Sequence, residues 1–125
     1  MRLLLDTHVA IWFFEDPALL SDDARAAIED PGNGLFLSAA SVWEWALKLS
    51  LGRSSMPAAL DVGAIRAGVE ELPVIWAHRR AAAALPPVHR DPFDRMLVAQ
   101  ALTEDLVLVT RDPLIRRYDV ATMPA

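Results

Sequence analysis

The sequence predicts an α/β domain with a short, mostly parallel central sheet, and two observations carry that reading. Four short apolar runs, Leu3–Leu5, Leu35–Leu37, Leu72–Ile75 and Leu106–Val109, lack the alternation of a half-exposed strand. Strands of a parallel sheet, covered on both faces, need such unbroken apolar stretches. Between the runs lie helical patterns with recognisable ends, and strands alternating with helices specify parallel βαβ units. At 125 residues the chain has room for one core, so residues 1–125 read as a single domain.

Taken in order, Leu3–Leu5 is the first strand, and a helix begins near Val9 just beyond Asp6. Ser21, followed by Asp22 and Asp23, is an N-cap with acids in the first turn. After the second strand, Ser41 and Glu44 have capping-box spacing, and Gly52 falls where a terminal glycine would stop that helix. Asp61–Gly68 and Trp76–Leu85 read as helices on either side of the third strand. Asp91 and Pro92 are an N-cap and a first-turn proline, opening a helix through Phe93, Met96, Leu97 and Ala101. Leu106–Val109 then gives the fourth strand and Asp119–Met123 a weaker fifth.

Composition narrows the function. Hydrophobic residues make up 54% of the chain, which excludes disorder and suggests that a partner covers some apolar surface. Twelve Lys and Arg against 17 Asp and Glu leave a net charge of −5, which argues against holding nucleic acid by bulk charge alone. The acidity is uneven: residues 1–62 carry nine acids against four bases, and residues 63–125 eight of each. A basic surface is therefore expected from Arg79, Arg80, Arg90, Arg95, Arg111, Arg116 and Arg117. The absence of cysteine removes disulfides and thiolate chemistry. The start, MRLLLD, is too short for a signal-peptide apolar region, and PGNGLFLSAASVW is too short and broken to span a bilayer. The expectation is a soluble cytoplasmic domain without a membrane partner.

The carboxylates fall in a suggestive pattern. Asp6 follows the first strand and Asp112 the fourth, while Glu44 and Asp94 sit in first turns of helices. In an open parallel sheet these positions share one edge, where ligands bind. Clustered carboxylates raise one another's pKa unless a cation fills the space between them, and Mg²⁺ or Mn²⁺ suits oxygen donors. Each acid also has a purely structural reading. Asp6 can cap the first helix, Glu44 can pair with Ser41, Asp94 can serve the helix dipole, and Asp112 can stabilise a turn; Asp91 reads as an N-cap. His8 reads as structural or superficial, His78 as lying on a solvated helix face, and His89, in LPPVHRDPF, as an aid to phosphate binding. No HExxH, GxSxG, GxxxxGK[ST] or GxGxxG motif is present, which leaves water as the nucleophile.

Four segments in this order, LLLDTHVAIWFF, LSAASVWEWALKLSLGR, HRDPFDRMLVAQAL and LVLVTRD, resemble the PIN-domain ribonucleases, above all VapC-type toxins of bacterial toxin–antitoxin pairs. The resemblance runs from Arg2 to about Val120. It implies a three-layer α/β/α domain and endonucleolytic RNA cleavage dependent on Mg²⁺ or Mn²⁺. By the same resemblance Asp6, Glu44, Asp94 and Asp112 are the four catalytic, metal-holding acids. Asp94 is preferred over Asp91 because it stands seven residues before Ala101, as the family pattern requires. Thr7 and Thr110 match hydroxyl positions that serve metal-bound water or a neighbouring carboxylate. His8 departs from the small hydroxyl residue of many relatives. The resemblance further implies a homodimer and a cognate antitoxin lying in a groove by the active site. Trp12, Phe13, Phe14, Trp43, Trp45 and Trp76 are candidates for such surfaces, with core packing accounting for at least half of them. Two other functions fit less of the sequence. One is a catalytically silent PIN-like binding or regulatory module. The other is an aspartyl-phosphate phosphatase, whose usual second Asp is replaced here by His8.

Overall fold

The computed structural model describes residues 1–52 and 59–125. Its five strands are β1 (Arg2–Leu5), β2 (Gly34–Ser38), β3 (Glu70–Leu72), β4 (Val107–Thr110) and β5 (Thr122–Pro124). All neighbours pair in parallel, in the order β3-β2-β1-β4-β5. The helices are α1 (Thr7–Glu15), α2 (Asp22–Glu29), α3 (Ala39–Ser50), α4 (Leu60–Ala67), α5 (Trp76–Ala84) and α6 (Pro92–Glu104).

The expected burial on both faces is found. Leu3, Leu5 and Val109 pack on one side of the sheet with Val9, Ala24, Trp45 and Leu60 from α1 to α4. Leu4 and Leu108 point the other way, onto Leu97, Val98 and Ala101 of α6. Three consecutive leucines thus serve two cores, which gives the three-layer α/β/α arrangement that the resemblance implies. Each is fully buried, contributing about 2 kcal/mol of transfer free energy.

From β1 the chain runs outward through β2 to β3, then crosses back to place β4 on the other side of β1. The strand order therefore reverses between β1 and β4, and a crevice opens at their carboxyl ends.

Most helix ends follow the local signals. Ser21 Oγ accepts from Ala24 N at 3.2 Å, and Asp91 Oδ1 accepts from Phe93 N at 2.9 Å with Pro92 in the first turn. Gly52 and Gly68 end α3 and α4 at φ of 67° and 70°, left-handed values that favour glycine. The capping box at Ser41 and Glu44 is not formed. Ser38 caps α3 instead, its Oγ accepting from Ala40 N at 3.0 Å, so Ser41 and Glu44 lie further along and are buried. Asp6 occupies the N-cap position of α1 without capping it through its side chain.

The edge strands also differ from expectation. β3 ends at Leu72, where Leu72–Ile75 was expected to pair, because Pro73 offers no N–H to continue the ladder. Val74 and Ile75 are left exposed. β5 begins at Thr122 and ends at Pro124 rather than spanning Asp119–Met123. His78 is not on a solvated face: it is 1% exposed, with Nε2 2.7 Å from Glu104 Oε1. Among the aromatic candidates Trp45 is buried, Trp12, Phe13 and Phe14 pack partly against the core, and Trp43 and Trp76 are exposed. Arg53 of the LSLGR segment lies outside the described residues. Among the described residues no helix is long and apolar enough to cross a membrane.

Candidate active site

The crevice at the switch point is a cavity of about 300 Å³, and Asp6, Glu44, Asp94 and Asp112 all line it. Each comes from a different element. Asp6 ends β1, extending its pairing through a 3.0 Å bond from its N–H to Val109 O. Glu44 stands on α3 and Asp94 in the first turn of α6. Asp112 lies just beyond β4 in a turn it stabilises itself, Oδ1 accepting from Leu114 N at 2.8 Å.

Every one of these carboxylates is held. Thr110 Oγ1 donates to Asp6 Oδ2 at 2.6 Å. Thr7 Oγ1 lies 2.8 Å from Glu44 Oε1 and 2.9 Å from Ser41 Oγ. A hydroxyl has one proton, so Thr7 gives its own to the carboxylate and takes one from Ser41. Lys48 Nζ meets Glu44 Oε2 at 2.8 Å, one turn along the same helix. Both threonines thus bond a neighbouring carboxylate, one of the two roles the sequence offered them.

The sequence offers His89 as an aid to phosphate binding, and the structure places it against two of the acids. Its Nε2 lies 2.8 Å from Asp112 Oδ2 and 3.1 Å from Asp94 Oδ2, bridging the two acids. The Asp91 N–H points at Nδ1 from 3.2 Å, which puts the remaining imidazole proton on Nε2, facing the carboxylates. The sequence signal was its place two residues before Asp91 and five before Asp94 in HRDPFD. Asp91 also lines the cavity, with one oxygen engaged in capping α6.

The electrostatics describe a site short of positive charge. Burial pushes the Asp94 carboxyl up to about 7, with the charges of Asp6 and Asp91 adding to it. Burial likewise raises Asp6 above the usual carboxylate range, against the opposing hydrogen bond from Thr110. For His89 burial works downward, and the hydrogen bond to Asp112 with the charges of Asp94, Asp112 and Asp91 outweighs it, so its pKa is raised. The donor set fits a hard divalent cation: several carboxylate oxygens converge on one cavity, and they ionise together only with a compensating charge. Ligand atoms of His89, Asp94 and Asp112 already lie within 4.8 Å of one another.

The basic residues are less available than their number suggests. Arg95 is spent internally on the carbonyls of Ala82, Leu85 and Pro86 and on the Tyr118 hydroxyl. Arg111 bonds the carbonyls of Leu19 and Ala125. Arg79, Arg80, Arg90, Arg116 and Arg117 remain exposed.

Comparison with known proteins agrees with this fold. The PIN domain family profile matches residues 3–121. Ribonuclease VapC22 of Mycobacterium tuberculosis is 30% identical over 119 residues, covering 93% of this chain and 91% of that protein. The fold is shared with VapBC2 from Rickettsia felis, solved bound to a promoter DNA fragment, at a TM-score of 0.72 and 15% identity over 99% of this chain and 98% of that one. It is shared too with FitAcB from Neisseria gonorrhoeae, at a TM-score of 0.59 and 23% identity over 97% and 96%. The chain belongs to the PIN-domain family and, within it, to the VapC ribonucleases.

Proposed function

We propose that this chain is an Mg²⁺- or Mn²⁺-dependent endoribonuclease that acts as the toxin of a toxin–antitoxin pair. The observation that carries the reading is the convergence of Asp6, Glu44, Asp94 and Asp112 from four elements on one cavity at the switch point. Asp6 and Asp94 would be the principal ligands of the cation, with Glu44 and Asp112 completing the site. A divalent cation held there would supply a nucleophilic water at neutral pH and would stabilise charge developing on a phosphodiester.

The protein's own residues do the rest. Thr110 and Thr7 fix the Asp6 and Glu44 carboxylates before substrate arrives, so no reorganisation is needed at the moment of reaction. Lys48 offsets part of the negative charge at Glu44 that would otherwise repel a phosphate. Arg79, Arg80 and Arg90, exposed on the second half of the chain, are candidates to hold the RNA backbone.

A cognate antitoxin and a second copy of the chain are the expected partners. The relatives of known structure include VapBC and FitAB assemblies, which supports the first. An apolar depression between Trp43, Leu47, Val74, Phe93 and Met96 offers a surface for one of them.

The test is RNA cleavage by purified protein with and without Mg²⁺ or Mn²⁺. The expected result is metal-dependent cutting by the wild type and none by folded Asp6→Asn or Asp94→Asn. Full metal-dependent cleavage by both variants would sink the assignment.

A further inference from the structure

We infer that His8 and Trp12 form a stacking rim for one unpaired nucleobase beside the phosphate that the acids engage. The inference rests on the ribonuclease reading and adds to it a residue that selects substrate. His8 and Trp12 are one helical turn apart on α1, and both line the acid-bearing cavity. His8 is exposed and, among the described residues, makes no side-chain hydrogen bond. It is nevertheless held: its ring lies 6.0 Å from Trp12 and 6.1 Å, edge-on, from the buried Trp45.

Trp12 is fixed in turn. The Arg111 guanidinium lies 4.3 Å from its ring centroid, within cation–π range. Arg111 cannot swing away freely, because its N–H groups bond the carbonyls of Ala125 and Leu19. The result is a wall of flat, polarisable groups along one side of a cavity whose remaining lining is mostly carboxylates, with Val9 and Lys48.

The juxtaposition has a chemical consequence. A carboxylate cluster with its cation takes the phosphate of a nucleotide, and the flat wall beside it takes the base. Packing alone accounts for Trp45 and much of Trp12. It does not account for an exposed ring, pre-ordered by two tryptophans, two residues beyond Asp6. A base that stacks on protein has left its own helical stack, so the rim selects single-stranded or looped RNA over duplex.

The test compares wild type, His8→Ala and His8→Phe on short RNAs that are intact or lack a single base next to the cleaved bond. Both cleavage and equilibrium binding are measured. In the wild type, removing the base that stacks should weaken binding and raise KM by about 5- to 100-fold. His8→Ala should treat the two RNAs nearly alike, whereas His8→Phe, which keeps a flat ring, should restore the difference. Thermal melting of each variant checks that it is folded.

Equal binding of intact and base-less RNA by the wild type overturns the inference. So does discrimination that survives in His8→Ala, or duplex RNA cut as fast as single strands. If His8→Ala weakens only a bound antitoxin, the rim belongs to that partner and the inference fails. An absence of any cleavage by the wild type counts against the ribonuclease reading instead, and binding still judges the rim.

Discussion

Thr110 Oγ1 donates a 2.6 Å hydrogen bond to Asp6 Oδ2, joining the carboxyl end of β4 to that of β1. The same oxygen accepts from Asp112 N at 3.1 Å. One hydroxyl therefore sets two of the four acids, at the point where the strand order reverses. Being fully buried, Thr110 has no water to replace either bond.

Thr110→Val tests that coupling, because valine keeps the branched shape and removes the hydroxyl. The buried Asp6 carboxylate and the part-buried Asp112 N–H lose their partner, so stability should fall by about 1–3 kcal/mol in urea unfolding. Mg²⁺ affinity, read by calorimetry, should fall with it, and cleavage should drop at least about tenfold. Thr110→Ser should keep most of both. Wild-type metal affinity in Thr110→Val would show that the bond does not position Asp6.

Asp94 predicts an unusual pH dependence. Its carboxyl titrates near 7 in the fold against 3.8 as a free side chain. Between these values the folded protein keeps a proton that the unfolded chain has released, so stability falls as pH rises through the interval and levels off above it. Asp6 and His89, both raised, act in the same direction. The margin of wild type over Asp94→Asn should therefore shrink by about 1–2 kcal/mol from pH 5 to pH 8, a figure reduced for the partial exposure of the group. Urea titrations without metal at both pH values measure it. A margin that grows with pH would reverse the assignment.

Divalent cations should oppose that slope. Metal binds the ionised carboxylates, so its affinity rises with pH. At pH 8, Mn²⁺ at 100 times its dissociation constant should stabilise the wild type by about 2.7 kcal/mol, and far less at pH 5. Scanning calorimetry at the two pH values reads this as a shift in Tm. An equal shift in Asp94→Asn would place the cation elsewhere.

Much of this site is legible in the sequence because its acids stand at element ends. Asp6 and Asp112 follow apolar strands, and Asp94 follows the Asp91 N-cap and a first-turn proline, so local signals place all three on one sheet edge. Glu44 reads as a first-turn residue through a capping box with Ser41 that the structure does not form. Ser38 and Ser41 are equally good caps, and the choice depends on where β2 ends, which is a tertiary fact. β3 departs from the expected Leu72–Ile75 for a similar reason, since the pairing of Glu70 with Phe36 outweighs the higher apolarity of Val74 and Ile75. His89 bridges acids 5 and 23 residues away, and a bridge of that span has no period to betray it. His78 reads as solvated in the sequence because Arg79 and Arg80 stand beside it, whereas Glu104 of α6 holds it inside.

Gly63, in the middle of α4, separates stability from catalysis. Alanine normally favours a helix interior by about 1 kcal/mol over glycine. Here a Cβ would lie 2.7 Å from Phe14 Cδ2 and 3.0 Å from Cγ, so the ring must move. Phe14 packs against the core from α1, the helix that also carries Thr7 and His8. A groove of about 500 Å³, lined by Phe13, Phe14, Val62 and Arg66, lies beside it and can receive the displaced ring. Gly63→Ala should therefore be destabilising by about 1–2 kcal/mol despite the gain in helix propensity. Cleavage per folded molecule should be unchanged, because rotation of the ring leaves α1 in place. Phe14→Leu should abolish the penalty in the double variant, as urea unfolding of all four proteins would measure. A stabilising Gly63→Ala would show that the close approach of α4 to Phe14 relaxes freely.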